Sequence, residues 1–417
     1  MAKVLYQLLI WLYSFVIRLA SPFNQKAKLW LKGREGVFER MREIISADHP
    51  LIWMHCSSLG EFEQGRPLLE KIRSNYPAYK ILLTFFSPSG YEVRKNYEGA
   101  DYVFYLPADK EENAKHFFEI TKPRLILFIK YEFWYYYLFE AKKRNIPLLL
   151  ISGIFRKSQP FFAKHGNFHR SMLSCFTHFF VQNKESLFLL KTIDFDKNVT
   201  ISGDTRFDRV IEIAEQSEHI FTIEAFCSGS DVIVAGSTWP EDDKKLSGYA
   251  NKKSNVKCII APHNINKQRL KECLQLYKNT VLFSAVNTSG IPSNINTIII
   301  DNVGMLSSLY KYSTISYIGG GFGKEGVHNV LEAAVYGKPV IFGPVYENFL
   351  EAKELVLNGG GISITNYLQL EAKFDEFFKK DQNYTSACKA ASEYVYSKQG
   401  ATKKILQFIQ ENRLLTR

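Results

Sequence analysis

The stretch that decides the fold is IGGGFGKEGVHNVLE, residues 318–332. The apolar run Ile315–Ile318 predicts a strand, the glycines predict a tight turn, and a helix is expected to begin near His328. Glycines let backbone N–H groups approach an anion closely, and a helix N-terminus adds about half a positive charge. The stretch therefore predicts a phosphate-binding turn. Asn329 and Glu332, on one face of the first helical turn, would bind ribose or sugar hydroxyls.

The same stretch matches the dinucleotide pattern G-x-G-x-x-G at Gly321, Gly323 and Gly326, which alone is a weak signal. A dinucleotide site needs an acidic residue at the end of the next strand, about 20 residues further on. The next apolar run, Lys338–Pro344, ends without one, and the motif lies in the last quarter of the chain. Nucleotide-sugar binding is therefore favoured over NAD or FAD binding, and a purely structural turn is the alternative.

Length and composition indicate a globular protein of two domains. The chain has 417 residues, 46% hydrophobic and 23% charged, which is too long for one ordinary core. Its six cysteines include no C-x-x-C pair and its nine histidines no H-E-x-x-H motif, so we expect reduced thiols and no metal site built by the protein. The net charge of +11 suits an anionic partner: nucleic acid, phospholipid headgroups or a phosphorylated substrate.

The N-terminus is apolar and is followed by a basic segment. Val4–Ala20 reads VLYQLLIWLYSFVIRLA, about 17 residues, close to the ~20 that span a bilayer. Basic residues dominate positions 1–42, and no small-residue cleavage site follows the apolar run. We expect an N-terminal anchor on the cytoplasmic face of the inner membrane, either spanning it or lying in its inner leaflet. A helix packed on the protein's own core is the alternative.

After residue 50, short apolar runs alternate with amphipathic stretches, which is typical of βαβ units. Seven strands are predicted in the first half: Leu51–His55, Ile81–Phe85, Tyr102–Tyr105, Leu125–Ile129, Pro147–Ile151, His178–Val181 and Val199–Ile201. Helices are predicted between them at Glu63–Asn75, Ala108–Ile120 and Trp134–Arg144. Six more strands follow: Val232–Ala235, Val256–Ala261, Val281–Phe283, Thr297–Ile300, Ile315–Ile318 and Pro339–Phe342.

These runs predict an α/β protein with two Rossmann-like, doubly wound domains facing a cleft. We expect an anchor and basic segment over 1–42, an N-terminal domain over 43–212 and a C-terminal domain over 228–395. Residues 207–230 are polar and helical, as in an interdomain connection, and the tail 382–417 is predicted to be helix, with 396–417 as a C-terminal helix of its own. Such sheets bind ligands beyond the carboxyl ends of their strands.

The strongest catalytic candidate is Glu61, in a turn with Ser58 and Gly60 between the first strand and the helix expected from Glu63. A carboxylate at a strand end can take a proton from an incoming hydroxyl if burial or neighbours tune its pKa. The alternative is a glutamate at a helix N-terminus that complements the helix dipole.

Three further candidates follow later strand ends. Glu132 is expected to orient an acceptor or stabilise developing charge, or else to be a solvated helix cap. Arg156 is expected to bind a carboxylate or phosphate, or else to be solvated. Arg206, between Asp204 and Asp208, is either a fixed cation near the cleft or part of a structural ion pair.

In the second half, three loops fall at the same predicted sheet edge as the glycine turn. Ser237 and Thr238 follow the first strand of that half, Pro262 and His263 end the next, and Val303–Met305 follow a later one. Their convergence predicts a donor site that includes Gly320 and Gly321 for the phosphate.

The chain resembles the Kdo transferases, which move 3-deoxy-D-manno-octulosonic acid (Kdo) from CMP-Kdo onto the lipid A precursor. The resemblance runs from the N-terminus to about residue 360. It rests on S-x-G-E at Ser58–Glu61, S-P-S-G at Ser87–Gly90, Glu132 before Phe133-Trp134, G-D-x-R-F-D at Gly203–Asp208, A-G-S-T at Ala235–Thr238, and G-G-G…H-N-x-x-E followed by G-K-P-V-I-F-G-P. It implies a GT-B fold and an inverting, metal-independent transfer to the 6-hydroxyl of the lipid A precursor (lipid IVA), with CMP-Kdo as donor and no cofactor.

The resemblance also implies roles for individual residues. Glu61 matches the general base, and Glu132 and Arg206 match residues credited with transition-state support. The CMP-contacting segments match Pro262 and His263, Val303, Gly304 and Met305, and His328, Asn329, Val330, Leu331 and Glu332.

The chain departs from the family pattern at three places. Asn264 ends a Pro-His-Asn sequence where the family commonly has Pro-Arg-His, so one arginine is missing, and His263 and Lys267 are the available substitutes. Lys130 stands where many members have a glutamate, and Met305 where an acid is common.

The expected partners are CMP-Kdo, the lipid A precursor and an anionic membrane surface, with no nucleic acid. The alternatives are another GT-B enzyme that uses a UDP-sugar, either a lipid glycosyltransferase or a sugar-nucleotide epimerase, and a non-enzymatic membrane scaffold.

Overall fold

The computed structural model describes residues 2–46 and 48–416, which form two compact units. Unit 1 comprises Met1–Asp208 and Gly400–Arg417, and unit 2 comprises Arg209–Gln399. The chain thus divides after Asp208 and again before Gly400, whereas we expected the C-terminal domain to begin at 228 and the last helix to stand by itself.

Unit 1 is built on a seven-stranded parallel sheet in the order β3-β2-β1-β4-β5-β6-β7. Its strands are β1 (Leu51–Cys56), β2 (Lys80–Phe85), β3 (Tyr102–Tyr105), β4 (Pro123–Ile129), β5 (Leu148–Gly153), β6 (His178–Val181) and β7 (Val199–Ile201). All seven predicted strands are confirmed, with ends moved by a residue or two. They were predictable because strands covered on both faces read as continuous apolar runs.

The helices of unit 1 cover both faces of this sheet. They are α1 (Ala2–Ala20), α2 (Gln25–Lys32), α3 (Val37–Ile44), α4 (Leu59–Asn75), α5 (Pro88–Arg94), α6 (Glu111–Thr121), α7 (Tyr135–Lys143), α8 (Asn167–Leu173) and α9 (Lys184–Lys191), and α10 (Thr205–Glu215) continues into unit 2. Because successive strand residues point to opposite faces, Trp53 of β1 packs in one core with Phe117 and Phe128, whereas Met54 packs in the other core with Phe62.

Unit 2 contains a second seven-stranded parallel sheet, in the order β10-β11-β9-β8-β12-β13-β14. Its strands are β8 (Val232–Thr238), β9 (Lys257–Pro262), β10 (Thr280–Leu282), β11 (Thr297–Ile299), β12 (Ile315–Ile318), β13 (Val340–Phe342) and β14 (Gly361–Ser363). The six predicted strands are confirmed. β14 was missed because a three-residue strand that starts at a glycine leaves no apolar run.

The helices of unit 2 are α11 (Phe221–Cys227), α12 (Pro240–Lys252), α13 (Lys267–Leu276), α14 (Phe283–Ser289), α15 (Leu306–Leu309), α16 (Leu331–Ala334), α17 (Leu350–Leu357), α18 (Tyr367–Phe377) and α19 (Gln382–Tyr396). The tail is not one helix: α19 ends at Tyr396, and Gly400, with a φ of 101°, redirects the chain as the N-cap of the next helix. A last helix, α20 (Ala401–Glu411), returns to unit 1, where Ile405 and Ile409 join the core around Phe62.

The strand order places the candidate residues in each unit. In unit 1 the order reverses between β1 and β4, and in unit 2 it reverses between β8 and β12. Ligands of open α/β sheets bind beyond the carboxyl ends of the strands at such a reversal. Glu61 follows β1 and Glu132 follows β4, while Ser237 and Thr238 are the last residues of β8 and the glycine turn follows β12.

The glycine turn is held by close contact between two backbone segments. A Cβ on Gly321 would lie 2.6 Å from the backbone nitrogen of Gly343, so neither position tolerates a side chain. The Val345 amide donates to the Gly321 carbonyl at 2.8 Å, which ties the loop after β13 to the turn after β12. Gly321, one of the glycines that suggested phosphate binding, is therefore required by backbone packing.

We expect Gly321→Ala to lower the free energy of unfolding by about 1–3 kcal/mol, because the new methyl group has only backbone atoms to displace. Gly323→Ala is the matched control in the same turn, since its Cβ would meet nothing closer than the Gly320 carbonyl at 3.4 Å. Urea unfolding of both variants measures the difference. Equal stabilities would show that the backbone contact is not what requires a glycine.

Candidate active site

Glu61 lies in the first turn of α4, not in a turn before the helix. The helix begins at Leu59, four residues earlier than predicted, because Ser58 and Glu61 form a capping box. The backbone N–H and the hydroxyl of Ser58 both donate to Glu61 Oε2, at 2.8 and 3.0 Å. Gly60 suggested a turn, but it is helical here. Glu61 is therefore a glutamate at a helix N-terminus, as the alternative interpretation expected.

The pKa of Glu61 is nevertheless that of a base at neutral pH. Burial and then the negative charge of Glu132 raise this pKa, the Ser58 hydrogen bonds and the charge of Lys130 lower it, and the net value is about 7. A general base works best when its pKa lies near the operating pH. The same carboxylate can therefore cap α4 and accept a proton.

Glu132 is buried, with 4% of its surface exposed, so it is not a solvated cap. The chain turns sharply after β4 because Lys130 adopts a φ of 68°, and this turn directs Glu132 back towards the sheet. There Glu132 Oε2 accepts from Trp134 Nε1 at 2.5 Å and lies 3.0 Å from His55 Nε2. The sequence analysis missed His55, which looked like one more residue of an apolar strand.

Arg206 forms an ion pair with Asp204, as one of the two alternatives stated. Its Nε and Nη2 donate to Asp204 Oδ2 at 3.0 and 2.8 Å, and Gln64 Nε2 donates to the same oxygen at 2.9 Å. The second flanking carboxylate, Asp208, instead accepts the backbone N–H groups of Gly400 and Thr402 at the start of α20.

The charges that act on Tyr131 show that the candidate residues of unit 1 lie near one another at one edge of the sheet. Burial raises the pKa of Tyr131, the charges of Arg156 and Arg206 oppose the increase, and the charge of Glu61 adds to it. The Arg156 guanidinium lies 5.6 Å from the Tyr131 ring centre. The structure therefore brings together Glu61, Glu132, Arg156 and Arg206, which the sequence placed only on separate loops.

In unit 2, the glycine turn is organised by Asp242 in the first turn of α12. Asp242 accepts hydrogen bonds from the backbone N–H groups of Trp239 (2.8 Å) and Gly320 (2.9 Å) and from the Tyr317 hydroxyl (2.7 Å). The Gly320 amide is thus occupied by a protein carboxylate in this conformation. The His328 amide is likewise occupied, because it donates to the Gly319 carbonyl at 3.2 Å.

The helix after the turn is a single turn that begins at Leu331, not at His328 as predicted. The bond from the His328 amide back to Gly319 keeps the chain out of the helical path until Val330. A helix over 331–334 lacks the aligned peptides that build a large dipole. Asn329 therefore precedes the helix, and its Nδ2 donates to Glu332 Oε1 at 2.9 Å.

Three rings stack at this edge of the second sheet. Trp239 follows β8, His263 follows β9 and His328 follows the glycine turn; the two imidazole centres lie 4.5 Å apart, and the indole lies 4.8 Å from His263. Trp239 Nε1 donates to His328 Nε2 at 3.0 Å. Burial and the neighbouring His263 lower the pKa of His328 to about 4, so it is neutral and can accept this bond. Trp239 was not a sequence candidate, although it directly follows the A-G-S-T motif.

The other candidate residues of unit 2 also lie at or after the ends of strands. Ser237 adopts a φ of 53°, Thr238 is buried, and Pro262 ends β9. Val303 is 87% exposed beside Gly304, whose φ is 104°. Lys267, one possible substitute for the missing arginine, begins α13, whereas His263 lies in the ring stack.

Potential metal ligands do not cluster in the described part of the chain. Across residues 2–46 and 48–416, no three or more His, Cys, Asp or Glu side chains are grouped to hold a metal ion. That the reaction needs neither metal nor cofactor stays a prediction.

Comparison with known proteins adds the family. A family model described as 3-deoxy-D-manno-octulosonic-acid transferase (kdotransferase) matches residues 32–209. The chain is 28% identical over 333 residues to the 3-deoxy-D-manno-octulosonic acid transferase of Aquifex aeolicus, covering 78% of this chain and 85% of that protein. It is 26% identical over 370 residues to the enzyme of the same name from Chlamydia trachomatis, covering 83% and 84%.

A longer relative is the bifunctional glycosyltransferase/methyltransferase of Fusobacterium nucleatum, which is 28% identical over 423 residues. The match covers 97% of this chain but 61% of that protein, so the chain spans less than two thirds of it.

Among solved structures, the UDP-GlcNAc 2-epimerase of Neisseria meningitidis bound to UDP-GlcNAc matches with a TM-score of 0.59 and 17% identity, covering 87% of this chain and all of that one. A putative UDP-N-acetylglucosamine 2-epimerase from Listeria monocytogenes matches with a TM-score of 0.59 and 12% identity, covering 88% and 98%. These likenesses support the fold alone: two parallel-sheet α/β domains of the GT-B type. Together the comparisons confirm the resemblance to the Kdo transferases and show that the chain is a glycosyltransferase related to them.

We expect Asp242→Ala to lower the free energy of unfolding by about 2–4 kcal/mol, because three donors lose a shared, charged acceptor. Glu241→Ala, one residue earlier in the same helical turn, is the control: Glu241 is solvent-exposed and its side chain pairs with Lys244, so no measurable change is expected. Thermal unfolding followed by circular dichroism compares the two. A loss in Asp242→Ala no larger than in the control would contradict the role given to Asp242.

Proposed function

We propose that this glycosyltransferase moves Kdo from CMP-Kdo to the 6-hydroxyl of the lipid A precursor (lipid IVA), with inversion and without a metal or cofactor. The observation that carries the proposal is Glu61, a carboxylate whose pKa burial and Glu132 raise to about 7, at the edge where the strand order of unit 1 reverses. The relatives named 3-deoxy-D-manno-octulosonic acid transferase support Kdo as the group that is transferred.

In the proposed reaction, the acceptor oxygen attacks the anomeric carbon of Kdo while Glu61 takes the hydroxyl proton. The bond between that carbon and the CMP phosphate oxygen breaks, and CMP leaves with the electron pair. Glu132 stabilises positive charge that develops on the sugar ring. Arg206, fixed by Asp204, supplies oriented N–H donors beside the acceptor.

Unit 2 is proposed to bind the CMP part of the donor. The Trp239–His263–His328 stack offers flat, uncharged ring surface, and the Asn329–Glu332 pair offers an amide and a carboxylate for ribose hydroxyls. Ser237, Pro262 and the loop Val303–Met305 complete the proposed contacts. The glycine turn acts here mainly as a frame, because Asp242 and Gly319 already accept the Gly320 and His328 amides.

The helix α1 favours a membrane-bound acceptor. It has 19 residues and is apolar enough to cross a bilayer by length and composition. Its apolar side chains Val4, Leu5, Leu8, Leu9, Leu12, Phe15, Val16 and Leu19 are 43–65% exposed.

The opposite side of α1 rests on unit 1. The Tyr6 hydroxyl donates to the buried Asp109, Tyr6 packs on Tyr135, and Tyr13 packs on Phe86. A helix attached along one side is suited to lie in the bilayer interface rather than to span it. We therefore place the enzyme on the cytoplasmic face of the inner membrane, with α1 in the inner leaflet and Lys26, Lys28 and Lys32 towards anionic lipid.

We expect Glu61→Ala to lower kcat for transfer roughly 10²- to 10⁴-fold, because the proton acceptor is lost, while CMP affinity stays unchanged. Mass spectrometry of the product from CMP-Kdo and the lipid A precursor measures the loss. Glu63→Ala is the matched control: it lies two residues further along α4 and pairs with Arg94, so full activity is expected. Normal turnover in Glu61→Ala would refute the assignment of the base.

A second candidate function is that of a GT-B enzyme that uses a UDP-sugar, as a lipid glycosyltransferase or an epimerase. The fold that the chain shares with the UDP-N-acetylglucosamine 2-epimerases is compatible with it. Titration calorimetry with CMP and UDP separates the two candidates. We expect CMP to bind at least roughly tenfold more tightly; tighter binding of UDP would support the second candidate.

We expect Leu8→Glu/Leu12→Glu to abolish flotation with anionic vesicles, because each exposed leucine contributes about 1.5–3 kcal/mol when it enters the lipid. Leu357→Glu/Leu368→Glu is the control, since these leucines are 77% and 72% exposed in unit 2. Flotation that is insensitive to the changes in α1, or equally sensitive to the control, would exclude α1 as the attachment site.

A further inference from the structure

A chain of three buried polar side chains leads to Glu132. Trp53 Nε1 donates to Thr84 Oγ1 at 2.8 Å, Thr84 Oγ1 lies 2.8 Å from His55 Nδ1, and His55 Nε2 lies 3.0 Å from Glu132 Oε2. Trp53, His55 and Thr84 have no exposed surface. The chain forms because Trp53 and His55 share one face of β1 and Thr84 stands opposite His55 on β2.

The hydrogen positions in this chain follow from donor chemistry. The indole N–H can only donate, so Thr84 Oγ1 accepts from it and keeps its own hydrogen for His55 Nδ1. The ring proton of His55 is then on Nε2 and points at Glu132. The opposite tautomer could donate to the Thr84 carbonyl, 3.2 Å from Nδ1, and accept at Nε2 from Trp134 Nε1, 3.1 Å away. It would, however, set the Nε2 lone pair against Glu132 Oε2 at 3.0 Å, and the Trp134 N–H lies closer to that oxygen, at 2.5 Å.

Glu132 Oε2 therefore accepts two N–H groups, from His55 and from Trp134. Two N–H groups that converge on one carboxylate oxygen fix the orientation of the carboxylate. Packing alone does not require such a chain, because the surrounding core is aromatic, with the rings of Phe117 and Phe128 next to Trp53.

We propose that His55 is a positioning residue of the transfer reaction: through this buried chain it orients the Glu132 carboxylate beside Glu61. The proposal rests on the proposed role of Glu61 as general base. His55 itself does not touch the substrate, because it has no exposed surface.

Several charged and titratable groups face Glu61. The loop after β4 contributes Glu132, whose charge raises the pKa of Glu61, and Lys130, whose charge lowers it. Cys56 of β1 and Tyr131 also lie within the field of Glu61, and their pKa values are raised chiefly by burial. Arg156 and Arg206 act on Tyr131 from the loop after β5 and from α10.

The sign of the effect follows from these groups. Without the donor from His55, the Glu132 carboxylate keeps the Trp134 N–H alone and can turn away from Glu61. Its repulsion of the Glu61 carboxylate then weakens, so the pKa of Glu61 falls. A carboxylate with a lower pKa is a weaker base, which lowers the rate at neutral pH and moves the acid limb of the rate profile to lower pH.

The experiment compares the pH dependence of kcat/KM for His55→Leu and His55→Gln in the full-length enzyme. In His55→Leu we expect kcat to fall roughly tenfold or more and the acid limb to move down by about one pH unit. In His55→Gln the amide nitrogen takes the place of Nε2 and donates to Glu132, so the limb stays near its wild-type position. An acid limb that is unmoved in His55→Leu would overturn the proposal.

Phe128→Leu is the control for lost packing. The Phe128 ring lies 5.4 Å from the His55 ring in the same core, and its phenyl side chain has no hydrogen-bonding group. We expect it to lower the melting temperature without moving the acid limb. A limb that moves equally in Phe128→Leu would reduce His55 to a packing residue and overturn the proposal.

A measurement on the wild-type protein keeps the proposal falsifiable if His55→Leu does not fold. In ¹⁵N NMR of the labelled histidines, the signal lost in His55→Gln is that of His55. We expect the ring proton of His55 on Nε2; a ring protonated at Nδ1 would overturn the proposal. Failure of the proposed function would be distinct, as absence of Kdo transfer by the wild type or as turnover by Glu61→Ala.

Discussion

Both units depend on one constraint: the strands of each sheet are all parallel, and the strand order reverses once in each. Two neighbouring strands at the reversal send their connections to opposite faces, which leaves a gap at their carboxyl ends that only loop side chains can fill. Glu61 and Glu132 enter this gap in unit 1, and the ring stack borders it in unit 2. The chemistry is therefore confined to a few short loops, while the buried strands beneath them provide rigidity.

Within unit 1, two opposed effects act on the pKa of a single carboxylate, that of Glu61. The capping box favours the ionised form of Glu61, whereas burial and the charge of Glu132 favour the protonated form. Neither effect alone gives a base that works at neutral pH. The cap fixes where the carboxylate lies, and its surroundings determine how strongly it holds a proton.

Sequence analysis predicted the strands well because buried parallel strands are continuous apolar runs. The prediction failed at contacts between segments that are far apart in the sequence. The start of α16 is displaced because the His328 amide bonds back to Gly319, and Gly321 is required by Gly343, a contact between loops that no local pattern reveals. Glu61 was found from its motif, but its buried neighbour His55 was hidden in a strand whose residues all looked like core. Asp242 was missed because its partners, on β12 and in the glycine turn, are far from it in the sequence.

The path of α20 has a consequence for how the chain is made. Asp208 holds the first residues of α20, and Ile405 and Ile409 complete the core around Phe62, so unit 1 is closed by residues that follow the whole of unit 2. During translation, the first unit must wait with part of its apolar surface uncovered until the last segment leaves the ribosome. Folding of this protein therefore cannot proceed strictly from one end to the other, and premature termination anywhere in unit 2 leaves unit 1 without this part of its core.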